Sequence, residues 1–223
     1  MLGGRWKPTH YWYKSHLFSD VLLICGSGGN CVVKNDRFTP FAGSVTVSKV
    51  ELATGATTVL FADAALSLPA GPGQARWFTI DPSVDGHAFV LVGQVIAASG
   101  VLVTDAHFPL LPPANWTLPA APQVVAAVAE TANADGSVNV TCSTDATAAY
   151  VTLTTLAAGR FSDNAFLLLP GPGAARVVRF LPWGDAQAAG DALRATLRLD
   201  HLAAAMQGMR DDARRAHEAA RRK

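Results

Sequence analysis

Two consecutive β-sandwiches, preceded by a short helix and followed by a helical tail, are the fold that the sequence predicts; its class is all-β. Three observations carry this. From Val21 onward the apolar residues recur with period two, in short segments rich in Val, Thr, Phe and Leu. Gly, Pro, Asn and Asp punctuate those segments, as turns require. A proline-rich stretch, PPANWTLPAAP (112–122), divides them into two series.

The elements follow in order. Residues 4–18 read as a helix, because Trp6, His10, Tyr13 and Leu17 recur on one face and Pro8 falls in the first turn, where its missing N–H is harmless. The segments VLLIC, CVVKND, SVTVSKVEL, TTVLFAD, ARWFTID, HAFVLVGQVIA and VLVTDAHFPLL then run to Leu111. About seven strands in one such stretch predict an immunoglobulin-like sandwich. A second series begins at Gln123: QVVAAVAETA, SVNVTCST, YVTLTTL, NAFLLLP, ARVVRFLP and ALRATLRLDHL. After His201 the pattern turns helical and rich in Ala and Arg, with Arg210, Arg214, Arg215, Arg221, Arg222 and Lys223 around it. That tail reads as solvated or frayed, with a basic docking helix as the alternative. The expected divisions are therefore 1–20, 21–111, 112–122, 123–202 and 203–223. LPAGPGQARWFTI (68–80) and LLPGPGAARVVRF (168–180) echo each other and support two related units.

Hydrophobic residues make up 50% of the 223 and charged residues 16%, a globular rather than a disordered balance. A net charge of +1 implies no nucleic-acid partner. No apolar run approaches the roughly 18 residues of a membrane span. Arg5 and Lys7 are not followed by the apolar stretch of a secretory leader, so none is expected in this chain. Cys25 and Cys31 flank GSGGN; a disulfide across a turn is one reading, and buried thiols, with Cys142, are the favoured one. No Cys/His spacing suggests a metal, and no cofactor is expected.

Two segments resemble a known family. GGRWKPTHYWYK (3–14) resembles the G-G-R-W-K-x-x-H-Y segment of the β-mannosidases of glycoside hydrolase family 2. GRFSDNAFLLLPG…VVRFLPW (159–183) is similar to the G-R-F-S-D-N-x-F strand pair of their C-terminal immunoglobulin-like domain, including its F-x-P-W ending. The resemblance spans about residues 3–201, with a divergent middle and no match for the tail. It implies that the N-terminal helix is the last helix of a catalytic (β/α)₈ barrel preceding Met1. Trp6, His10, Tyr13 and Leu17 would pack on that barrel, in a lysosomal, vacuolar or extracellular setting.

The chemistry such an enzyme needs is not legible here. Retaining glycosidases use two carboxyl groups about 5–5.5 Å apart. The three glutamates, Glu51, Glu130 and Glu218, lie in two strands and the tail and read as solvent-facing charges. His10, His16, His87, His107, His201 and His217 show no ligand spacing, and GSGGN lacks the Lys-Ser/Thr of a phosphate loop. No catalytic residue is assigned. Arg160–Asn164 reads as a turn in which Ser162, Asp163 and Asn164 bond local backbone, Arg160 pairs with Asp163, and Phe161 and Phe166 anchor in the core. Trp77, Trp116 and Trp183 read as core or interdomain filler, with sugar stacking as the alternative. Asn115 and Asn139 head N-glycosylation sequons. The expected function is a non-catalytic accessory region of a β-mannosidase-like hydrolase, inactive alone, whose whole enzyme removes terminal β-D-mannose. The alternative is a free-standing module that binds glycan or protein.

Overall fold

The computed structural model describes residues 6–81, 83, 85–171 and 173–221. Gly3, Gly4 and Arg5 of the first motif, Pro172 of the second Gly-Pro-Gly turn, and Arg222 and Lys223 of the tail lie outside the described residues. The protein is all-β, with antiparallel sheets and helices at both ends. It forms two compact units, one of His10–Thr117 and one joining Met1–Thr9 to Leu118–Lys223.

Helix α1 (Pro8–His16) is shorter than the expected 4–18. Pro8 opens it, and Leu17 and Phe18 both donate backbone N–H to the Tyr13 carbonyl, closing its last turn. Trp6 precedes the helix. Tyr11 is the residue of this helix that buries, at 3% exposure, while His10, Tyr13 and Leu17, the face expected to pack on a barrel, are exposed.

The first sandwich contains β1 (Val21–Cys25), β2 (Asn30–Asn35), β3 (Phe41–Glu51), β4 (Thr57–Leu68), β5 (Gln74–Thr79), β6 (Phe89–Ala97) and β7 (Leu102–Phe108). One sheet runs β1-β2-β5 and the other β4-β3-β6-β7. Alternate residues such as Leu23, Val33, Val45, Val47, Leu66 and Leu91 meet in a single core. Buried Asn35 ties the β2 end together: its Nδ2 donates to the Thr39 and Pro69 carbonyls, both at 2.9 Å, and its Oδ1 accepts from the Arg37 N–H. The cysteines correct an expectation. Cys25 and Cys31 are register partners across the GSGGN hairpin, with Cα atoms 4.1 Å apart, and form a disulfide rather than two thiols. Cys142 remains a buried thiol whose pKa burial pushes up to about 11.

The second sandwich contains β8 (Val124–Val128), β9 (Val138–Thr144), β10 (Ala148–Thr154), β11 (Gly159–Phe161), β12 (Phe166–Leu168), β13 (Arg176–Pro182) and β14 (Arg198–Asp200). Its sheets run β11-β13-β9-β8 and β12-β10-β14. Val140, Val151, Leu153, Phe161, Leu168, Val178 and Phe180 are buried in it. The segment expected as a strand over 192–202 is instead the end of a helix, α2 (Ala186–Thr196), followed by the three residues of β14. Asp185 caps α2 by accepting from the Ala188 N–H at 2.7 Å, and Leu193 is its buried anchor. The tail forms a continuous helix, α3 (Leu202–Arg221), which starts against β10.

The two Gly-Pro-Gly segments occupy equivalent places. In each unit the turn leads from a strand paired with the unit's third strand (β4 on β3, β12 on β10) to one paired with its second (β5 on β2, β13 on β9). The glycines match in conformation, with φ of 118° and 80° at Gly71 and Gly73 and 117° and 75° at Gly171 and Gly173.

Candidate functional site

The corner that carries the second motif is built from parity along β11. Phe161 points inward and packs edge-on against Phe180, ring centroids 5.3 Å apart, while a Cβ on Gly159 would lie 2.4 Å from the Phe180 ring. Arg160, between them, therefore faces outward. The expected Arg160–Asp163 pair does not form. Asp163 instead receives Arg176 from the start of β13, with Nη2–Oδ2 at 2.5 Å and Nε–Oδ2 at 3.1 Å. Asp163 and Asn164 do bond local backbone, as expected of a turn, but Ser162 and Asn164 also bond other strands. Ser162 exchanges hydrogen bonds with Arg179, its N–H donating to the Arg179 carbonyl at 2.6 Å and its Oγ accepting from the Arg179 N–H at 3.0 Å. Asn164 is buried and acts as a one-residue strand: its Oδ1 accepts from the Leu153 N–H at 2.7 Å and its Nδ2 donates to the Leu153 carbonyl at 2.8 Å. Ala165 follows with φ 59°, its N–H held by Asn164 Oδ1 at 3.0 Å.

Outward-facing Arg160 lies over the Trp6 ring, 5.1 Å from its centroid. The two segments that resemble one family, some 150 residues apart in sequence, thus meet through a cation–π contact inside one compact unit. Trp183 follows β13, donates its backbone N–H to the Ala158 carbonyl and is 48% exposed. Nearby, Asp135 accepts from Ser137 Oγ and N–H and from Arg179 Nη1 at 3.0 Å; the Ser137 bonds, then Arg179, hold its carboxyl below the ordinary range.

The N-terminal helix presents a second aromatic group. Trp12 and Tyr13 meet edge-on at 5.6 Å and Tyr13 meets Phe18 at 6.4 Å. Trp12, Tyr13, Leu17 and Phe18 remain 38%, 43%, 44% and 76% exposed.

The three tryptophans singled out by sequence part company. Trp116 is buried, as filler should be, whereas Trp77 is 72% exposed and Trp183 half-exposed. Glu51 accepts from Thr54 Oγ1 in a turn at 2.5 Å, Glu130 is exposed just past β8, and Glu218 is exposed on α3. His10, His87 and His217 are exposed, His107 is buried, and the His16 side chain lies outside the described residues. His87 Nδ1 meets the Asn115 carbonyl at 2.7 Å. His201 is half-buried; its Nδ1 accepts from the Ala204 N–H, and burial lowers its pKa. Among the described residues no three His, Cys, Asp or Glu side chains are grouped to hold a metal ion, and no helix is long and apolar enough to cross a membrane. Asn115 is exposed in a 3₁₀ turn, while Asn139 is half-buried in β9, where its amide meets Asn133.

Comparison with known proteins agrees with this architecture. Residues 120–205 match the model of an immunoglobulin-fold domain named for mannosidases. No curated protein sequence matches the chain. The fold matches the crystal structure of a β-D-mannosidase from Dictyoglomus thermophilum with a TM-score of 0.68 and 19% identity, over 87% of this chain and 23% of that one. It also matches an exo-chitosanase from Amycolatopsis orientalis with a TM-score of 0.59 and 16% identity, over 86% of this chain and 26% of that one. The chain thus spans about a quarter of the length of these enzymes, and the likeness is one of fold.

Proposed function

We propose that the protein is a non-catalytic brace for the (β/α)₈ catalytic domain of a family 2 glycoside hydrolase, a reading supported by the mannosidase-type immunoglobulin-fold match over residues 120–205 and by the likeness of fold to two glycosidases. The observation that supports this best is α1 and the residues just after it, where Trp12, Tyr13, Leu17 and Phe18 stay exposed, in a segment whose sequence resembles the last barrel helix. Such a surface is what a helix cut from its packing partner presents. The Trp6–Arg160 contact supports the same reading, because it joins one residue of the first motif to the second motif within a single unit. The whole enzyme would remove terminal β-linked mannose from glycans. The D. thermophilum neighbour acts on β-D-mannosides by its name, whereas the A. orientalis neighbour is a chitosanase, so a β-glucosaminide is the rival substrate.

Exposure of α1 gives the test. The purified chain should bind an apolar fluorescent dye and self-associate, and Tyr13→Gln with Leu17→Gln and Phe18→Ser should suppress both. A monomeric wild-type chain with no dye binding would refute the docking face. A secretory, lysosomal or vacuolar setting is part of the proposal, supported by the Cys25–Cys31 disulfide, since such bonds persist in oxidising compartments. Asn115 and Asn139 would then be glycan acceptors, and a mass shift on enzymatic deglycosylation after secretion from a eukaryotic host would test them.

A further inference from the structure

We propose that the outer face of the β1-β2-β5 sheet binds a short run of neutral pyranose sugars, with Trp77 as its stacking platform. The site follows from register. Ile24 pairs with Val32 and Val32 with Trp77, so these three side chains form one straight row across the sheet. Their neighbours Leu23, Val33 and Phe78 belong to the core, which sets the row on the opposite, outward face. Ile24 is 38% and Trp77 72% exposed, and Val32 is half-buried. The indole stands on an edge strand of a disulfide-closed hairpin sheet, a rigid support rather than a loop.

The chemistry of the row selects its occupant. Strands about 4.8 Å apart give a three-strand row about 10 Å long, the length of a disaccharide. An apolar strip with a flat aromatic at one end suits the C–H face of a pyranose ring. Exposed Asn30 and Thr79 are paired in the next row and offer a carboxamide and a hydroxyl to ring hydroxyls. The face is close to electroneutral. Lys34 is the one charged residue at its outward positions on these three strands, and it is ion-paired with Asp36. An acidic polymer therefore finds no field there. A protein partner needs roughly 800 Å² per side, whereas three such side chains offer at most a few hundred. The inference stands apart from the brace: it uses neither α1 nor the Arg160 corner.

Isothermal titration of the full chain with β-1,4-mannohexaose, cellohexaose and chitohexaose tests it, with hexagalacturonate as the charged control. At least one neutral hexamer should bind and hexagalacturonate should not. Trp77→Ala should weaken binding by about tenfold or more, Val32→Lys should weaken it too, and Trp77→Tyr should retain most of it. Trp183→Ala should bind as wild type. Should Trp77→Ala lower the thermal midpoint, Trp77→Tyr and Val32→Lys carry the test. No binding of any neutral hexamer, undiminished binding by Trp77→Ala, or preference for hexagalacturonate would overturn the proposal. So would Trp77-dependent self-association without sugar binding, which assigns the row to protein contact. None of these outcomes bears on whether α1 docks a catalytic domain.

Discussion

Asn164 shows how much one side chain can hold. It supplies both halves of a backbone pair to Leu153 in a buried position where water cannot replace it. Asn164→Ala should cost about 2–4 kcal/mol, because it strands a buried N–H and a buried C=O. Asn164→Asp should cost a comparable amount, since it keeps the acceptor but loses the donor and buries a charge. Urea unfolding would measure both; a loss below about 1 kcal/mol for the alanine variant would mean that the pair is dispensable. From the sequence, Ser-Asp-Asn reads as a turn, which is correct, but Leu153 is a partner that only folding brings near. Arg160 misled for the same reason: strand parity sends it outward, and Arg176 takes Asp163. His201 carries a pH prediction. Its folded pKa is lowered by burial, so the folded state binds fewer protons than the unfolded one near the ordinary histidine range. Its stabilising contribution is present above about pH 6.5 and is lost as pH falls through and below that value. Hydrogen exchange at Ala204 and Ala205 should therefore reveal fraying at the start of α3 between pH 7.5 and pH 5, after correction for intrinsic rates; unchanged protection would contradict the role of the ring as acceptor.

Hairpins and turns divide into those that the sequence announces and those that it hides. GSGGN between two strands was legible as a turn, but the redox state of its flanking cysteines depends on register, which places them directly opposite. Replacing both by serine should cost roughly 2 kcal/mol, the chain-entropy scale for so short a loop, and reduction of the wild type should cost the same. Equal denaturant midpoints with and without reductant would contradict the disulfide. The Gly-Pro-Gly echo was also legible, and the structure explains it: both turns need glycine in the left-handed region at matching positions. A Cβ on Gly73 or Gly173 meets nothing within 4 Å, so any penalty comes from conformation alone. Gly73→Ala and Gly173→Ala should each cost about 1–2 kcal/mol, and a neutral effect on the unfolding midpoint would show that the turn relaxes. Helix α2 was misread because Ala-Leu-Arg-Ala-Thr-Leu also alternates. The evidence against a strand lay upstream, in capping residue Asp185 and the alanines after it.

Across the molecule, each sandwich supplies its own core, and period-two patterning suffices to predict both. Exposure of individual aromatics was not legible, because Trp77, Trp116 and Trp183 sit in similar polar-apolar contexts and only the folded register separates the buried one from the open ones. In the proposed role this polypeptide braces a catalytic domain, and its acidic side chains serve turns, caps and ion pairs. Hydrolysis of p-nitrophenyl β-mannoside and β-glucosaminide by the purified chain tests that claim most directly. Release of p-nitrophenol should not exceed the blank over a day at any pH from 4 to 8; turnover that disappears on Glu51→Gln or Glu130→Gln would contradict it.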